Sequence, residues 1–177
     1  MLYVQQSLGP NEELVHIGRF HWMYTVQAFM AIVWGVIICI IMIGGAIMIY
    51  RQMGWFPQNT YGLLDQVRAL HPGIRIFAFI VFVIGLFSFA QMMVIKATTE
   101  IAITNSRLIY KRGLVARQVG EISVDRIEGV NVLQTILGRM FNYGRLAIRG
   151  MGVGEVILPP IEDPLKFRQA IEKARSI

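Results

Sequence analysis

Two charge-free apolar runs, Val26 to Ile49 and Ile76 to Ile95, organise the chain, and an 82-residue tail with the alternation of a water-facing domain follows them. Each run reaches the roughly 20 residues a helix needs to cross about 30 Å of hydrocarbon. The first contains twelve Ile, Val or Phe residues and the second thirteen Ile, Val, Phe or Leu. At about −0.3 to −0.6 kcal/mol per residue, insertion is favoured by roughly 4 to 8 kcal/mol per run. The pattern predicts a transmembrane hairpin over residues 26–95, with spans 26–49 and 76–95 and an external loop 50–75. An N-terminal segment 1–25 precedes it and a domain 96–177 follows. The first run is too long for a signal-peptide core and lacks a basic leader and a small-residue cleavage site, so Met1 to Ile177 is expected to be the mature protein.

Within the spans, Ala28 and Gly35 stand seven residues apart, as do Ala78 and Gly85. Each helix therefore carries small residues on one stripe, where two backbones can approach closely. Gln27, Ser88 and Gln91 are polar but uncharged, and neither run has the intramembrane carboxylate or histidine that marks an ion or proton path. In the loop, Leu63, Leu64, Val67 and Leu70 define one face of a short helix, and Trp55, Phe56 and Tyr61 suit a membrane interface. Trp22 and Tyr24 form the matching anchor at the other end of the first span.

The tail predicts six strands and two helical pieces. Thr99 to Thr104 and Arg107 to Arg112 flank an Asn105-Ser106 turn; Arg117 to Ser123, Arg126 to Val132, Arg145 to Arg149 and Glu155 to Leu158 follow. Between the fourth and fifth strands, Ile136, Leu137, Met140 and Phe141 fall on one face of a helical turn. At the end, Asp163 can cap a helix with Pro164 at its first position, and Phe167, Ala170, Ile171 and Ala174 repeat at helical spacing. An antiparallel sheet leaves an apolar face and an open end that such a helix covers. The expected fold is an α+β membrane protein: a two-helix hairpin plus a small antiparallel barrel capped by a C-terminal helix.

Charge sharpens the picture. Thirteen of the 17 Lys and Arg, against 8 acids, lie in residues 96–177, so this domain is basic and suited to anionic partners such as headgroups. Near the span ends, Arg19, Lys96, Arg107, Lys111 and Arg112 on the terminal side outnumber Arg51, Arg68 and Arg75 in the loop. The positive-inside rule then puts both termini in the cytoplasm. Cys39, the only cysteine, excludes an intramolecular disulfide.

Candidate chemistry is sparse. Gly150, Gly152 and Gly154 do not match a dinucleotide loop and precede a strand, so they read as a bend. His16, His21 and His71 lack a neighbouring ligand set, which leaves no expected metal site. Glu121, Asp125 and Glu128 are interleaved with strand residues and read as a solvated edge or a salt link to Arg126. No catalytic residue, cofactor or nucleic-acid partner is expected. Lys111, Arg112 and Arg117 bracket the turn after the second strand and are candidates for headgroup phosphates, a plain solvated turn being the alternative. Arg139, Arg145 and Arg149 form a second basic set that reads as a solvated sheet face. Ile136, Leu137, Met140 and Phe141 are the candidate surface for a homo-oligomer, or else a flap over the core.

Read together, Thr104-Asn105-Ser106-Arg107-Leu108-Ile109, Arg112-Gly113-Leu114-Val115, Glu121-Ile122, Asp125-Arg126-Ile127, Val130, Gln134 to Arg139, Tyr143-Gly144, Ile161 and Asp163-Pro164 resemble the membrane-flanked bacterial pleckstrin-homology-like domains of the YdbS and YdbT kind. Leu8-Gly9-Pro10, Glu12-Glu13 and His21-Trp22 resemble the same family's entry segment. The resemblance implies a PH-like barrel at the inner membrane, no established chemistry, and a propensity for homo-oligomers. The functional expectation is a non-enzymatic membrane-anchored module that binds lipid headgroups, a protein partner or itself. A subunit of a membrane enzyme or transporter with a site shared between chains is the alternative.

Overall fold

The computed structural model describes residues 2–60, 62–113, 118–152 and 154–176. The chain forms two compact units, Met1–Tyr24 together with Val94–Ile177, and Thr25–Met93.

The second unit is a helical hairpin. Helix α2 (Trp22–Gln52) and helix α4 (Pro72–Thr98) contain the two apolar runs, and both are long and apolar enough to cross a membrane. Ala28 and Gly35 are the buried residues of α2; Ala78 and Gly85 are those of α4. This is the small-residue stripe expected from the sequence. A Cβ on Gly85 would meet the Ala31 carbonyl oxygen at 3.0 Å and the Gly35 Cα at 3.3 Å, so the backbones touch where only glycine fits. Cys39 Sγ donates to the Ala78 carbonyl at 3.0 Å. The large apolar side chains on both helices are otherwise exposed or half-buried, and none is buried.

The loop helix α3 (Leu63–Ala69) forms where the periodicity placed it, and the expected face divides, with Val67 half-buried and Leu70 buried. Leu63 and Leu64 are exposed, while Gln66 and Leu70 are buried. Gln66 on that side of the turn accepts from Arg51 Nη2 at 2.9 Å.

The first unit has two sheets. Helix α1 (Leu2–Ser7) leads into strand β1 (Leu14–Gly18), which pairs antiparallel with β2 (Glu100–Thr104) across 81 intervening residues. Strands β3 (Arg107–Arg112) and β4 (Gln118–Ser123) complete the order β1-β2-β3-β4. A short 3-10 turn at Val124–Arg126 leads to the second sheet: β5 (Ile127–Leu133), β6 (Tyr143–Gly150) and β7 (Gly154–Ile157), with β8 (Ile161–Glu162) also on β6. Helix α5 (Ile136–Met140) joins β5 to β6, and helix α6 (Pro164–Arg175) ends the fold.

Three expectations are corrected here. The sheets do not close into a barrel. They meet through side chains, with Ile122 Cγ2 3.2 Å from where a Gly150 Cβ would stand, after the 3-10 turn has redirected the chain. The N-terminal segment is part of this domain, supplying β1 and, with β8, two strands beyond the six expected. Asp163 precedes α6 but makes no capping hydrogen bond to it. It holds a left-handed backbone, φ +47°, and its carboxylate accepts from Asn142 Nδ2 and Lys166 Nζ.

The core lies between the sheets and α6, from Ile101, Ile103 and Leu108 through Leu146, Ile148 and Ile161 to Phe167, Ile171 and Ala174. The apolar stripe of α6 is the one read from its spacing. Strand β2 is apolar on both faces because α1 covers its back: Val4 packs with Ala102 and Ile109.

Candidate functional site

The polar centre of the domain is the hairpin turn between β2 and β3. Thr104 is buried there, and its hydroxyl donates to Glu12 Oε1 at 2.7 Å. Arg107 grips the same carboxylate with both arms of its guanidinium, Nε to Oε1 at 2.9 Å and Nη2 to Oε2 at 2.7 Å. Its third nitrogen reaches Glu121 Oε2 at 2.9 Å, and Nη2 also donates to the Ser7 carbonyl. Glu12 further accepts from the Gly9 amide and the Ser106 hydroxyl, with 7% of its side chain exposed. Burial alone would raise its pKa. The Gly9 amide, the Thr104 hydroxyl, Arg107 and Ser106 outweigh it and hold the carboxyl at about 2. Arg107 is pushed up in turn, chiefly by its hydrogen bond to Glu12. This constellation is a latch that ties the N-terminal segment onto the sheet; Glu121 spends its charge on Arg107 rather than on Arg126.

Beside the latch runs an open groove of about 730 Å³ lined by Asn11, Asn105, Ser106, Arg107, Ser123 and Arg126. It offers hydroxyls, amides and one exposed guanidinium. Its Ser106 hydroxyl donates to Glu12, a carboxylate already held ionised by Arg107, and among the described residues no cluster of His, Cys, Asp or Glu could hold a metal ion.

The three basic candidates separate. Lys111 Nζ lies 3.5 Å from Glu100 Oε1, its side chain 16% exposed, and sits 5.2 Å above the Tyr3 ring. Glu100 is held below its ordinary pKa, since the amides of Val4 and Tyr3 and the charge of Lys111 outweigh the effect of burial. Lys111 is thus committed inside the domain. Arg112, next along β3, is exposed. Arg117 lies outside the described residues.

The four apolar candidates stay together. Thr135 Oγ1 accepts from the Gly138 amide at 3.1 Å and starts α5. Gly138 is buried so close to β6 that a Cβ would stand 2.7 Å from the Tyr143 carbonyl oxygen, which fixes the turn on the sheet. Its apolar side chains face outward: Ile136 is 89%, Leu137 52% and Met140 68% exposed. That exposure is incompatible with a flap over the core. Phe141 meets the Trp22 ring edge-on at 5.8 Å, and His21, buried, stacks on Tyr143 at 5.1 Å. Arg139 is exposed on α5 itself, and exposed Leu133 and Arg145 face each other across β5 and β6 on either side of that turn in sequence. The Arg112 and Arg145 charges are both felt at the Tyr24 hydroxyl.

Sequence reading found the apolar turn and Trp22 separately but not their contact, because nothing local relates positions 22 and 141. It also missed the latch, for which the only signal was the Gly9-Pro10 and Glu12 segment.

Compared with known families, residues 14–175 match the one described as Bacterial PH domain. No curated protein and no solved structure matches the chain.

Proposed function

The chain belongs to the bacterial PH domain family, and from that premise we propose that it is a non-enzymatic interaction module anchored in the inner membrane by its hairpin, whose domain engages anionic headgroups. The observation that carries the reading is the exposure of both apolar helices. Their only buried positions are the four small residues at which they pack, so hydrocarbon side chains cover the remaining surface and require an apolar solvent.

Strand pairing supports an even number of crossings. Gly18 and Ile101 are partners in one sheet, and α2 begins four residues after the first while α4 ends three before the second. A folded domain holding both positions leaves the chain to depart from and return to one face of the bilayer. The lysine and arginine excess on that side makes the face cytoplasmic. There, exposed Arg112 is the described basic candidate for headgroup phosphates, with Arg117 proposed beside it from the sequence, at around 1 kcal/mol per charge, whereas Lys111 already has Glu100.

The test is labelling in intact cells. With Cys39 replaced by Ala, single cysteines at Asn59 and Ser176 are challenged with an impermeant thiol reagent. Labelling at 59 and protection at 176 are expected, and the reverse pattern overturns the orientation. In detergent, the full chain should bind phosphatidylglycerol more tightly than phosphatidylcholine in a salt-sensitive way. Retention of that preference by the double variant Arg112→Glu, Arg117→Glu would remove headgroup binding from these residues.

A further inference from the structure

The geometry points to α5 as a wedge seated in the headgroup–acyl boundary of the membrane that α2 enters, an inference that rests on the anchoring proposed above. Three observations converge on one occupant. The first is that the turn is built to present apolar side chains outward. Its start is capped by Thr135, Arg139 N bonds to the Thr135 carbonyl at 3.0 Å and Phe141 N to the Leu137 carbonyl at 2.9 Å, and Gly138 lies against β6. Ile136, Leu137 and Met140 are thus held out by a fixed scaffold.

The second is depth. Phe141 packs on Trp22, itself 55% exposed and the first residue of α2; the charge-free run begins four residues later at Val26. Tryptophan at the start of a span marks the interface. A patch in ring contact with it sits at the same level, where short apolar elements bury their side chains among headgroups and upper acyl chains.

The third is charge. Arg112 and Arg145 both act on Tyr24, half a turn into α2, and Arg139 projects from α5 itself. Between Glu128 and Glu155 the chain has no acidic residue. On the neighbouring elements, Asp163, hydrogen-bonded to Asn142, is paired with Lys166, and Glu162 stands opposite Tyr143 on the β6–β8 ladder. Apolar side chains with arginines on the same turn and on the strand that follows it complement an anionic lipid surface. A symmetric contact between two copies would instead bring like charges together across the same patch.

The experiment uses the full chain in proteoliposomes containing phosphatidylglycerol, in a Cys39→Ala background. Met140→Cys, Ile41→Cys and Glu128→Cys each carry a small environment-sensitive fluorophore, and nitroxide lipids place the quencher at the headgroup or in mid-chain. Position 140 should be quenched more by the headgroup nitroxide, position 41 more by the mid-chain one, and position 128 by neither. Quenching at 41 together with an iodide-accessible, nitroxide-insensitive probe at 140 overturns the wedge while leaving the anchor intact. A probe at 140 shielded from both iodide and nitroxide, in particles that light scattering finds oligomeric, assigns the patch to a second copy and overturns it too. No quenching at 41 removes the anchor and the wedge with it.

Discussion

Replacing Glu12 by Gln should open the latch and cost the domain a large part of its stability. The carboxylate accepts from a backbone amide, two hydroxyls and two arms of Arg107, and its pKa falls from 4.5 to about 2. At roughly 1.4 kcal/mol per unit, the shift corresponds to about 3 kcal/mol. Because the folded pKa is the depressed one, that contribution is complete above about pH 5 and is lost as pH falls through 4.5 toward 2. Glutamine keeps the shape but loses the charge, and one end of its amide is a donor facing donors. Arg107 then keeps Glu121 as its carboxylate and the Ser7 carbonyl. At pH 7 the domain should lose about 2 to 3 kcal/mol, which for a unit of this size is roughly 10 to 20 °C in its midpoint.

The assay is heating followed by brief proteolysis of the full chain in mild detergent, scored on cleavage between residues 100 and 123. Glu172→Gln is the matched control, since its pair with Arg168 is exposed on α6 and contributes only a few tenths of a kcal/mol. Near pH 2.5 the gap between parent and Glu12→Gln should narrow to about 1 kcal/mol, because most of the contribution is lost between pH 4.5 and that pH. A midpoint within about 3 °C of the parent at pH 7 would refute the latch as a source of stability, and a gap unchanged by acid would refute its electrostatic origin.

Ile171→Asp places a charge in the core beside Phe167 and should cost several kcal/mol, whereas Lys173→Asp on the exposed side of α6 should be near neutral; equal protease sensitivity of the two would contradict the packing of that helix. Gly85→Val must displace the Ala31 carbonyl and should loosen the hairpin, seen as faster alkylation of Cys39 as its contact with Ala78 opens, while Gly44→Val, with nothing within 4 Å, should leave that rate unchanged.

Local signals carried most of the architecture. Span length, the spacing of Ala28, Gly35, Ala78 and Gly85, the Asn105-Ser106 turn and the stripe of α6 are all written in nearby residues, and the structure follows them. Strand β1 was illegible for a physical reason: Leu14–Gly18 is five residues long and its partner lies beyond the whole hairpin, so neither alternation nor a turn identifies it. The latch has the same cause, Glu12 and Arg107 being 95 positions apart. The pairing of Lys111 was within reach. Once the turn sets the register of β2 on β3, Glu100 falls opposite Lys111, and a lysine facing a glutamate across a ladder is poorly placed to be a free headgroup ligand. Barrel closure depends on whether β4 or β6 becomes the neighbour of β5. The 3-10 turn at Val124–Arg126 settles that choice, and its sequence reads equally well as the start of a strand.

The placement of β1 also links the two units through the chain itself. Its residues precede the hairpin and its partner strand follows, so the first sheet cannot be completed until both helices have been made. Were the 81 residues between them an unstructured loop, pairing Gly18 with Ile101 would cost about 4 kcal/mol of closure entropy. A hairpin packed at Gly35 and Gly85 has already brought its own ends back, and so removes most of that cost. The bidentate hold of Arg107 on Glu12 then fixes the segment before β1 onto the turn after β2. The small residues of the helices and the charged latch of the domain thus act on the same event, the docking of an early strand onto a late one.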